Sequence, residues 1–283
     1  MGRRTVARTV TLTGRGLHTG ARVRVDLTPG SPRAGVRFHR SDRAGDDWIP
    51  AEAERVVASE WRTTLGPAGD EGGEGGVATV EHLLAAVVAC GLTDLDVRLD
   101  GPELPALDGS AAPFADAIRR AGTMDLPGPV TPLVVNTTFE VVSHDARYTV
   151  RPAIAPRYRV TIEWDHPAIG RQEATGSPGT ETFIREILPA RTFGFLHDAE
   201  ALRARGFALG ANRSCAVIFT DTGIMDGGGL RWPDECARHK LLDLTGDLAL
   251  LGRPVIGEIT ADRPGHRGNL ALVRALEARL TGD

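Results

Sequence analysis

One pair of residues in the C-terminal half has the spacing of metal ligands on a helix. His239 and Asp243 lie four residues apart inside a segment whose pattern predicts a helix over about 233–251. Positions i and i+4 share one helix face, so the imidazole and the carboxylate converge about one turn apart, and Asp247 continues the stripe. Without further ligands, the same spacing more often marks a polar face in contact with solvent.

A second candidate, Glu81-His82, falls in the first turn of a predicted N-terminal helix, with Thr79 as its N-cap. Catalytic zinc takes three protein ligands and keeps one position open for water. His82 would therefore complete an N,N,O ligand set with His239 and Asp243, and Glu81 would stand beside the open position as the natural base. The alternative is that Glu81 is a carboxylate favoured at a helix N-terminus by the helix dipole alone.

His266 follows Pro264 and Gly265 in a segment that we predict to be a loop. An imidazole titrates near neutral pH, so His266 could protonate a leaving group if a carboxylate keeps it in its cationic form. Asp247 is the candidate for that carboxylate. A lone histidine on the surface is an equally good interpretation of this pattern.

Lys240, next to His239, is the only lysine among 33 basic residues; the other 32 are arginines. An ammonium group is a compact charge, whereas a guanidinium group is a wide planar fork, so a site shaped for one need not accept the other. This contrast makes Lys240 a candidate site residue, although its retention by chance is the simpler alternative.

The elements around these residues predict an α+β fold of two similar domains, each a β-sheet layered with helices. Period-two alternation predicts a hairpin on either side of 14–20, and Pro and Gly dominate 122–129, which predicts a linker. We therefore expect an N-terminal domain over 1–127 and a C-terminal domain over 128–283. The other predicted elements are strands at 94–99, 133–142, 148–154 and 158–164, a helix at 113–121, and a β-α-β insert at about 190–215.

Charge and hydropathy exclude several classes of protein. The formal net charge of −4 offers no general excess of positive charge for nucleic acid. The longest stretch without strongly polar side chains, 83–92, is about half the length that spans a bilayer. The basic N-terminus leads into no apolar segment, so we expect a cytoplasmic protein. The three cysteines form no C-x-x-C pair, which favours buried thiols.

Taken together, these residues lie in motifs that resemble the zinc-dependent UDP-3-O-acyl-N-acetylglucosamine deacetylases of lipid A biosynthesis. The matching motifs follow the order of that family and cover nearly the whole chain. They are Gly16-Leu-His-Thr-Gly20, Thr79-Val-Glu-His-Leu83, Asp100-Gly-Pro-Glu-Leu-Pro105, Leu107-Asp-Gly-Ser-Ala-Ala-Pro-Phe114, His166-Pro-Ala-Ile-Gly170, Ala190-Arg-Thr-Phe-Gly-Phe195, Arg238-His-Lys-Leu-Leu-Asp243, Gly246-Asp247 and Gly265-His266.

The resemblance implies a Zn²⁺ ion bound by His82, His239 and Asp243, with the active site at the junction of the two domains. It also implies removal of the N-acetyl group with release of acetate. Glu81 matches the general base of the family. His266 matches the group that steadies the developing charge and protonates the leaving amine, with Asp247 behind it; whether the acid is His266 or Glu81 stays open.

The resemblance also implies contacts with a UDP-linked, 3-O-acylated glucosamine. Thr192 matches a hydroxyl that stabilises the oxyanion, Lys240 a lysine near the sugar and diphosphate, and Arg263 a second phosphate contact. Trp164 would stack on uracil or pack in the core. Further substrate contacts are expected at Gly194 and Asp198, and an apolar passage for the acyl chain at Phe193, Phe195, Leu202, Phe207 and Leu209.

Two departures from the family pattern leave other readings open. Residues 210–213 read Gly-Ala-Asn-Arg where Gly-Gly-Ser and an apolar residue are usual, and the residue before Asn269 is not apolar. These changes affect the expected length and affinity of the bound acyl chain. They leave open the alternative that the chain is an amidase for a different acylated amino sugar. A silent zinc-binding paralogue is a further alternative, against which the presence of Glu81 and His266 argues. We expect a monomer, compatible with transient contact at the inner membrane surface.

Overall fold

The computed structural model of this chain describes residues 1–45, 47–70, 73–225 and 228–280, and it confirms the predicted α+β class. The strands are β1 (Gly2–Val6), β2 (Val10–Arg15), β3 (Arg22–Pro29), β4 (Val36–Arg40), β5 (Ile49–Pro50), β6 (Val56–Ala58), β7 (Thr64–Leu65), β8 (Val77–Ala78), β9 (Leu95–Leu99), β10 (Thr123–Pro129), β11 (Leu133–Val134), β12 (Phe139–Ser143), β13 (Ala146–Arg151), β14 (Arg157–Trp164), β15 (Gly170–Gly176), β16 (Phe193–Phe195), β17 (Val217–Phe219), β18 (Val255–Ile256) and β19 (Glu258–Asp262). The α-helices are α1 (Glu81–Ala89), α2 (Ala112–Ala121), α3 (Glu181–Glu186), α4 (Ala199–Ala204), α5 (Glu235–Leu248) and α6 (His266–Leu280).

The two halves of the chain contain five-stranded sheets of the same topology. In the first sheet the order is β2-β3-β9-β4-β5, and in the second it is β12-β13-β19-β14-β15. In both, the fifth strand along the chain enters the middle, antiparallel to the second strand and parallel to the third. The common topology supports a duplicated unit, while the division between residues 127 and 128 stays a prediction.

Helices α1 and α5 pack against each other between the two halves. Nearly all of α1 is buried, which is typical of a helix covered on every side. The close approach depends on Gly246 of α5, because a Cβ atom there would lie 2.0 Å from the carbonyl oxygen of Glu81. This contact brings the first turn of α1 to the middle of α5.

The start of α1 differs from the sequence-based expectation. The helix begins at Glu81 with Val80 at the N-cap, so the prediction that Thr79 is the N-cap is wrong. Thr79 has a φ of 58°, and its hydroxyl donates to Glu103 Oε1 at 2.8 Å instead of to the helix.

The expected linker over 122–129 is also wrong as a description of local structure. Residues Thr123–Pro129 form β10, which pairs antiparallel with β1 at the N-terminus. Proline and glycine are compatible with a strand here because the ribbon has two strands, so each strand is an edge.

Two further segments differ in extent or type. The strand predicted at 133–142 is divided, because β11 pairs in parallel with β18 whereas β12 begins the larger sheet. The predicted loop around His266 is wrong, since His266 is the first residue of α6. The helix predicted at 233–251 corresponds to α5, followed by a 3-10 turn at Ala249–Leu251.

The insert has a β-α-β order. Strand β16 leads through a 3-10 turn, Leu196–Asp198, into α4, and β17 then pairs in parallel with β16. The second strand of the insert, Val217–Phe219, lies beyond the expected limit at residue 215.

Candidate metal centre and active site

His82, His239 and Asp243 converge at the contact between α1 and α5. Their ligand atoms all lie within 4.8 Å of one another, and all three residues are buried. Asp243 Oδ1 is 3.3 Å from His239 Nε2 and 3.8 Å from His82 Nε2. The i, i+4 pair therefore comes from one helix, and the third residue comes from the other half of the chain.

The chemistry of these three residues fits a metal ion. Asp243 Oδ1 is buried, and none of the described residues donates a hydrogen bond to it. His239 Nδ1 donates to the carbonyl of Ala190 at 3.0 Å, which leaves the Nε2 lone pair free. Burial lowers the pKa of His82 to about 3 and also lowers the pKa of His239, so both imidazoles are neutral. A neutral imidazole is the form that binds metals.

The second oxygen of Asp243 is occupied by Lys240. Lys240 Nζ donates to Asp243 Oδ2 at 2.8 Å. Burial opposes the carboxylate charge, but His239 and Lys240 outweigh it and hold the pKa of Asp243 well below its usual range. Burial also opposes the ammonium charge, while Asp243 raises the pKa of Lys240. The only lysine of the chain thus neutralises the carboxylate and leaves Oδ1 for a ligand.

Glu81 lies beside this centre with its carboxyl group held at one oxygen. The backbone N–H of Thr63 donates to Glu81 Oε2 at 3.1 Å, and Glu81 Oε1 is 3.8 Å from His266 Nε2. Burial raises the pKa of Glu81 to about 7. A carboxyl group with such a pKa can both accept and release a proton near neutral pH.

His266 is held from behind by a buried carboxylate. Its Nδ1 donates to Asp247 Oδ2 at 2.9 Å, and Asn269 Nδ2 donates to the same oxygen at 2.8 Å. The Thr63 hydroxyl donates to Asp247 Oδ1 at 2.6 Å. Burial opposes the imidazolium charge, but Asp247 and Glu81 outweigh it and raise the pKa of His266 to about 9. The group is cationic at neutral pH and is oriented as a proton donor.

Thr192 precedes the insert strand β16 and is held through its backbone. Its N–H donates to Gly109 O at 2.8 Å, and its carbonyl accepts from Val217 N at 2.9 Å. Gly109 has a φ of 85°, and a Cβ atom there would lie 1.9 Å from the Cys215 carbonyl oxygen, so only glycine fits. These bonds fix the backbone close to Ala190, whose carbonyl accepts the hydrogen bond from His239 Nδ1.

The expected passage residues fall into two groups of ring contacts. In the first, Phe193 meets Trp164 edge to face with 5.4 Å between ring centroids and lies 6.3 Å from the His239 ring. Phe195 lies 6.4 Å from Trp164 and stacks on His197 at 5.4 Å. Trp164 is half-buried and contacts both phenyl rings, so part of its surface packs in the core.

The second group surrounds Phe207, at the end of the insert helix. Its ring meets His18 edge to face at 5.4 Å, and the Arg62 guanidinium lies 5.2 Å from its centroid. Leu202 accepts a hydrogen bond from Phe207 N at 2.8 Å, and Leu209 N donates to His18 O at 2.9 Å. The Leu209 side chain is exposed.

The other expected substrate contacts lie near the surface. Arg263 Nη2 donates to Glu163 Oε2 at 2.9 Å, and Asp198 lies 3.7 Å from His197 Nε2. Gly194 is in the middle of β16 with open space where a side chain would stand. The roles of these three residues stay predictions.

Comparison with known proteins finds one family over nearly the whole chain. Residues 3–278 match the family LpxC, described as UDP-3-O-acyl N-acetylglycosamine deacetylase. A protein named UDP-3-O-acyl-N-acetylglucosamine deacetylase from Myxococcus xanthus is 45% identical over 96% of this chain and 85% of its own length. Proteins of the same name from Syntrophotalea carbinolica and Leptospira biflexa are 39% and 37% identical, covering 97% and 99% of this chain and 87% and 91% of theirs.

The chain belongs to the LpxC family. This membership confirms the resemblance drawn from the motifs and identifies the chain as a deacetylase. In the part of the chain that the structure describes, no helix combines the length and apolar character needed to cross a membrane.

Sequence reasoning missed two residues that hydrogen-bond to the candidate site residues Glu81 and Asp247, namely Thr63 and Asn269. Thr63 carries no local signal, because its partners Glu81 and Asp247 are distant in the chain. Asn269 follows His266 by three residues, and the apolar residues Leu270, Val273 and Leu276 have helical spacing that could have shown them to share a helix face. The error was to interpret this segment as a loop.

Proposed function

We propose that this chain removes the acetyl group from UDP-3-O-acyl-N-acetylglucosamine, with a zinc ion bound by His82, His239 and Asp243. The observation that supports the metal is the buried Asp243 Oδ1, which faces two neutral imidazoles. An N,N,O donor set suits catalytic zinc. When bound, zinc supplies a Lewis acid that polarises the acetyl carbonyl and makes water more acidic.

The proton transfers belong to residues of the chain. Glu81, with a pKa of about 7, takes a proton from the water molecule while the oxygen of that water attacks the acetyl carbon. His266, which Asp247 keeps charged, steadies the negative charge on the intermediate and then donates its proton to the nitrogen as the C–N bond breaks. The products are acetate and the free amine. Glu81 has then gained a proton and His266 has lost one, and transfer from Glu81 Oε1 to His266 Nε2, which lie 3.8 Å apart, restores both groups.

Substrate binding is assigned to residues around this centre. Thr192 places a hydroxyl for the oxyanion, and Lys240 contacts the sugar and diphosphate from its position on Asp243. Arg263 exchanges Glu163 for a phosphate oxygen, a charge-assisted contact of the same type. Gly194 and Asp198 complete the polar contacts. Trp164 stacks on uracil with its uncovered part.

The 3-O-acyl chain occupies a passage along the insert. Phe193 and Phe195 form one wall, and Leu202, Phe207 and Leu209 form the other. We propose further that the enzyme acts in the cytoplasm as a monomer, with transient contact at the inner membrane surface where its amphiphilic substrate lies.

The deciding experiment is acetate release from UDP-3-O-(3-hydroxyacyl)-N-acetylglucosamine, before and after a chelator and after zinc is restored. Release that disappears and returns supports the proposal. The Asp243→Asn variant is the matched control, because it keeps the side-chain shape but should not recover with zinc. No release from a folded, zinc-loaded protein would contradict the proposed substrate and point to another acylated amino sugar or to a binding protein.

A further inference from the structure

We propose that Glu103 is a positioning residue of the active site, acting through Thr79 on Glu81 and His82. The inference deepens the proposed function, and it rests on that function for its kinetic test. Glu103 lies on the segment between β9 and α2 and is 1% exposed. Its carboxylate accepts hydrogen bonds from two other segments of the N-terminal half.

The first segment is the glycine-containing loop between β2 and β3. The N–H of His18 donates to Glu103 Oε1 at 2.9 Å, and the N–H and hydroxyl of Thr19 both donate to Oε2 at 2.7 Å. Gly16 leaves room for the carboxylate, because a Cβ atom there would be 2.2 Å from Oε2. A buried carboxylate with this many donors is rigid and stays ionised.

The second segment leads directly into α1. The Thr79 hydroxyl donates to Glu103 Oε1 at 2.8 Å, and the backbone of Ala78 bonds to Pro102 O at 2.9 Å and to Leu104 N at 3.1 Å. Thr79 has a φ of 58°, which a β-branched residue adopts only when its surroundings hold it there. Glu81 follows two residues later.

Nothing in the local sequence fixes this end of α1 by a cap. Val80 occupies the N-cap, and a valine side chain has no atom that could accept a bond from the first turn. The direction in which Glu81 and His82 leave the backbone is therefore set by Thr79, and the left-handed conformation of Thr79 is held by Glu103.

The same carboxylate also lies near the other support of Glu81. Arg62 Nη1 is 3.9 Å from Glu103 Oε1, and the next residue, Thr63, donates its N–H to Glu81 Oε2. Glu103 thus contacts both segments that position the Glu81 carboxyl group: Thr79, which precedes α1, and the Arg62-Thr63 segment.

Two isosteric variants separate positioning from simple stabilisation. Thr79→Val and Thr19→Val each remove one hydroxyl bond to Glu103, but only Thr79 connects to the catalytic residues. Because a misplacement of about 1 Å can reduce turnover about 100-fold, we expect Thr79→Val to lower kcat at least about 10-fold with KM changed less than about twofold. Thr79→Ser keeps the hydroxyl and should restore kcat. Thr19→Val should lower the melting temperature by about as much as Thr79→Val does, while kcat stays unchanged.

A second readout does not depend on turnover. His82 lies in the same helical turn as Glu81, so we expect Thr79→Val to lose bound zinc to a chelator faster than Thr19→Val does. Glu103→Gln should combine the fall in kcat with a lower melting temperature; if it does not fold, the threonine variants decide. Equal kcat values, or equal rates of zinc loss, in Thr79→Val and Thr19→Val would overturn the inference.

The failure of the proposed function would look different. If the unaltered protein releases no acetate, the substrate assignment fails, while the comparison of zinc loss still tests whether Glu103 positions His82. If the unaltered protein is active and the two valine variants do not differ, the proposed function stands and the role of Glu103 is refuted.

Discussion

Glu81 and His266 form a buried pair of titratable groups whose pKa values are both raised, to about 7 and about 9. Their difference has an environmental cause: Glu81 is desolvated, whereas His266 has Asp247 at 2.9 Å. Two titrating groups in one site, held at different pKa values, are typical of general acid-base catalysis. The assignment of each role leads to a direct test.

Replacing Glu81 by Gln should strongly reduce turnover and leave metal binding intact. Gln keeps an oxygen for the N–H of Thr63, but it cannot take a proton from water. A positioned base contributes about 10² to 10⁴-fold, so kcat should fall by that order. Acetate release and the metal content of the purified variant are the measurements. Unchanged turnover would show that the base lies elsewhere.

Two neighbouring threonines offer a matched pair of substitutions. The Thr63 hydroxyl donates to Asp247, whereas none of the described residues bonds to the buried Thr64 hydroxyl. A hydrogen bond to a charged group contributes about 1.5 to 3 kcal/mol, so Thr63→Val should lower the free energy of unfolding by that order and reduce kcat.

Thr64→Val should leave both the stability and kcat nearly unchanged, because it replaces an unpaired buried hydroxyl by a methyl group. Urea denaturation and steady-state kinetics of the two variants provide the comparison. If both valines had the same effect, the bond between Thr63 and Asp247 would have no separate role.

His18, which is not one of the proposed metal ligands, should make the stability of the protein depend on pH. Burial lowers the pKa of its imidazole to about 4, against about 6.5 in an unfolded chain. The unfolded state therefore binds a proton first, and stability should fall as the pH falls from about 6.5 to 4, by about 2 kcal/mol at pH 5.

The His18→Asn variant keeps an acceptor for the N–H of Ala208 but does not titrate. Its loss of stability between pH 7 and pH 5, measured by urea denaturation without metal, should be smaller than that of the unaltered protein. The other buried histidines contribute equally to both proteins, so the difference belongs to His18. Identical pH profiles would contradict a neutral His18 in the folded state.

At the scale of elements, the crossing of α1 and α5 determines whether the proposed metal ligands meet. Gly246 permits this crossing, since a Cβ atom would lie 2.0 Å from the carbonyl oxygen of Glu81. The atoms nearest to this Cβ position belong to the backbone of Glu81, so a flexible side chain could not move aside to make room.

Gly246→Ala should separate the helices, lower the free energy of unfolding by about 2 kcal/mol or more, and weaken metal binding. Gly223→Ala is the control, because no atom of the described residues, its two chain neighbours aside, lies within 4 Å of a Cβ atom at that position. Thermal unfolding and metal titration of both variants measure the effect. A Gly246→Ala variant with normal metal affinity would show that α1 and α5 can move apart without separating the proposed ligands.

At the scale of the whole molecule, the three proposed metal ligands connect the two halves. His82 comes from α1, and His239 and Asp243 come from α5, so ion binding favours the assembled state. Binding adds about 4 kcal/mol when the free ion stands at about 1,000 times its Kd.

Chelation should therefore lower the melting temperature by roughly 10 °C. The Asp243→Asn variant should melt at one temperature with or without zinc. Differential scanning calorimetry with and without a chelator makes the measurement. The same zinc-dependent shift in both proteins would place the ion at another site.

The sequence by itself determined the chemical groups and the family. The pattern of His239 and Asp243 is local, because one helical turn sets it. The motifs around Glu81, His82 and His266 identify the deacetylase family without any information on tertiary contacts. Alternating strands likewise determined the α+β class.

Only the tertiary structure decided which groups meet and what holds them. Thr63 and Asp247 are 184 residues apart in the chain, and no local pattern encodes their bond. Thr79 was expected to cap α1 from its type and position, yet Glu103 takes its hydroxyl and the residue adopts a left-handed conformation. Local spacing can place side chains on one helix, whereas contacts between distant segments depend on how the sheets and helices pack.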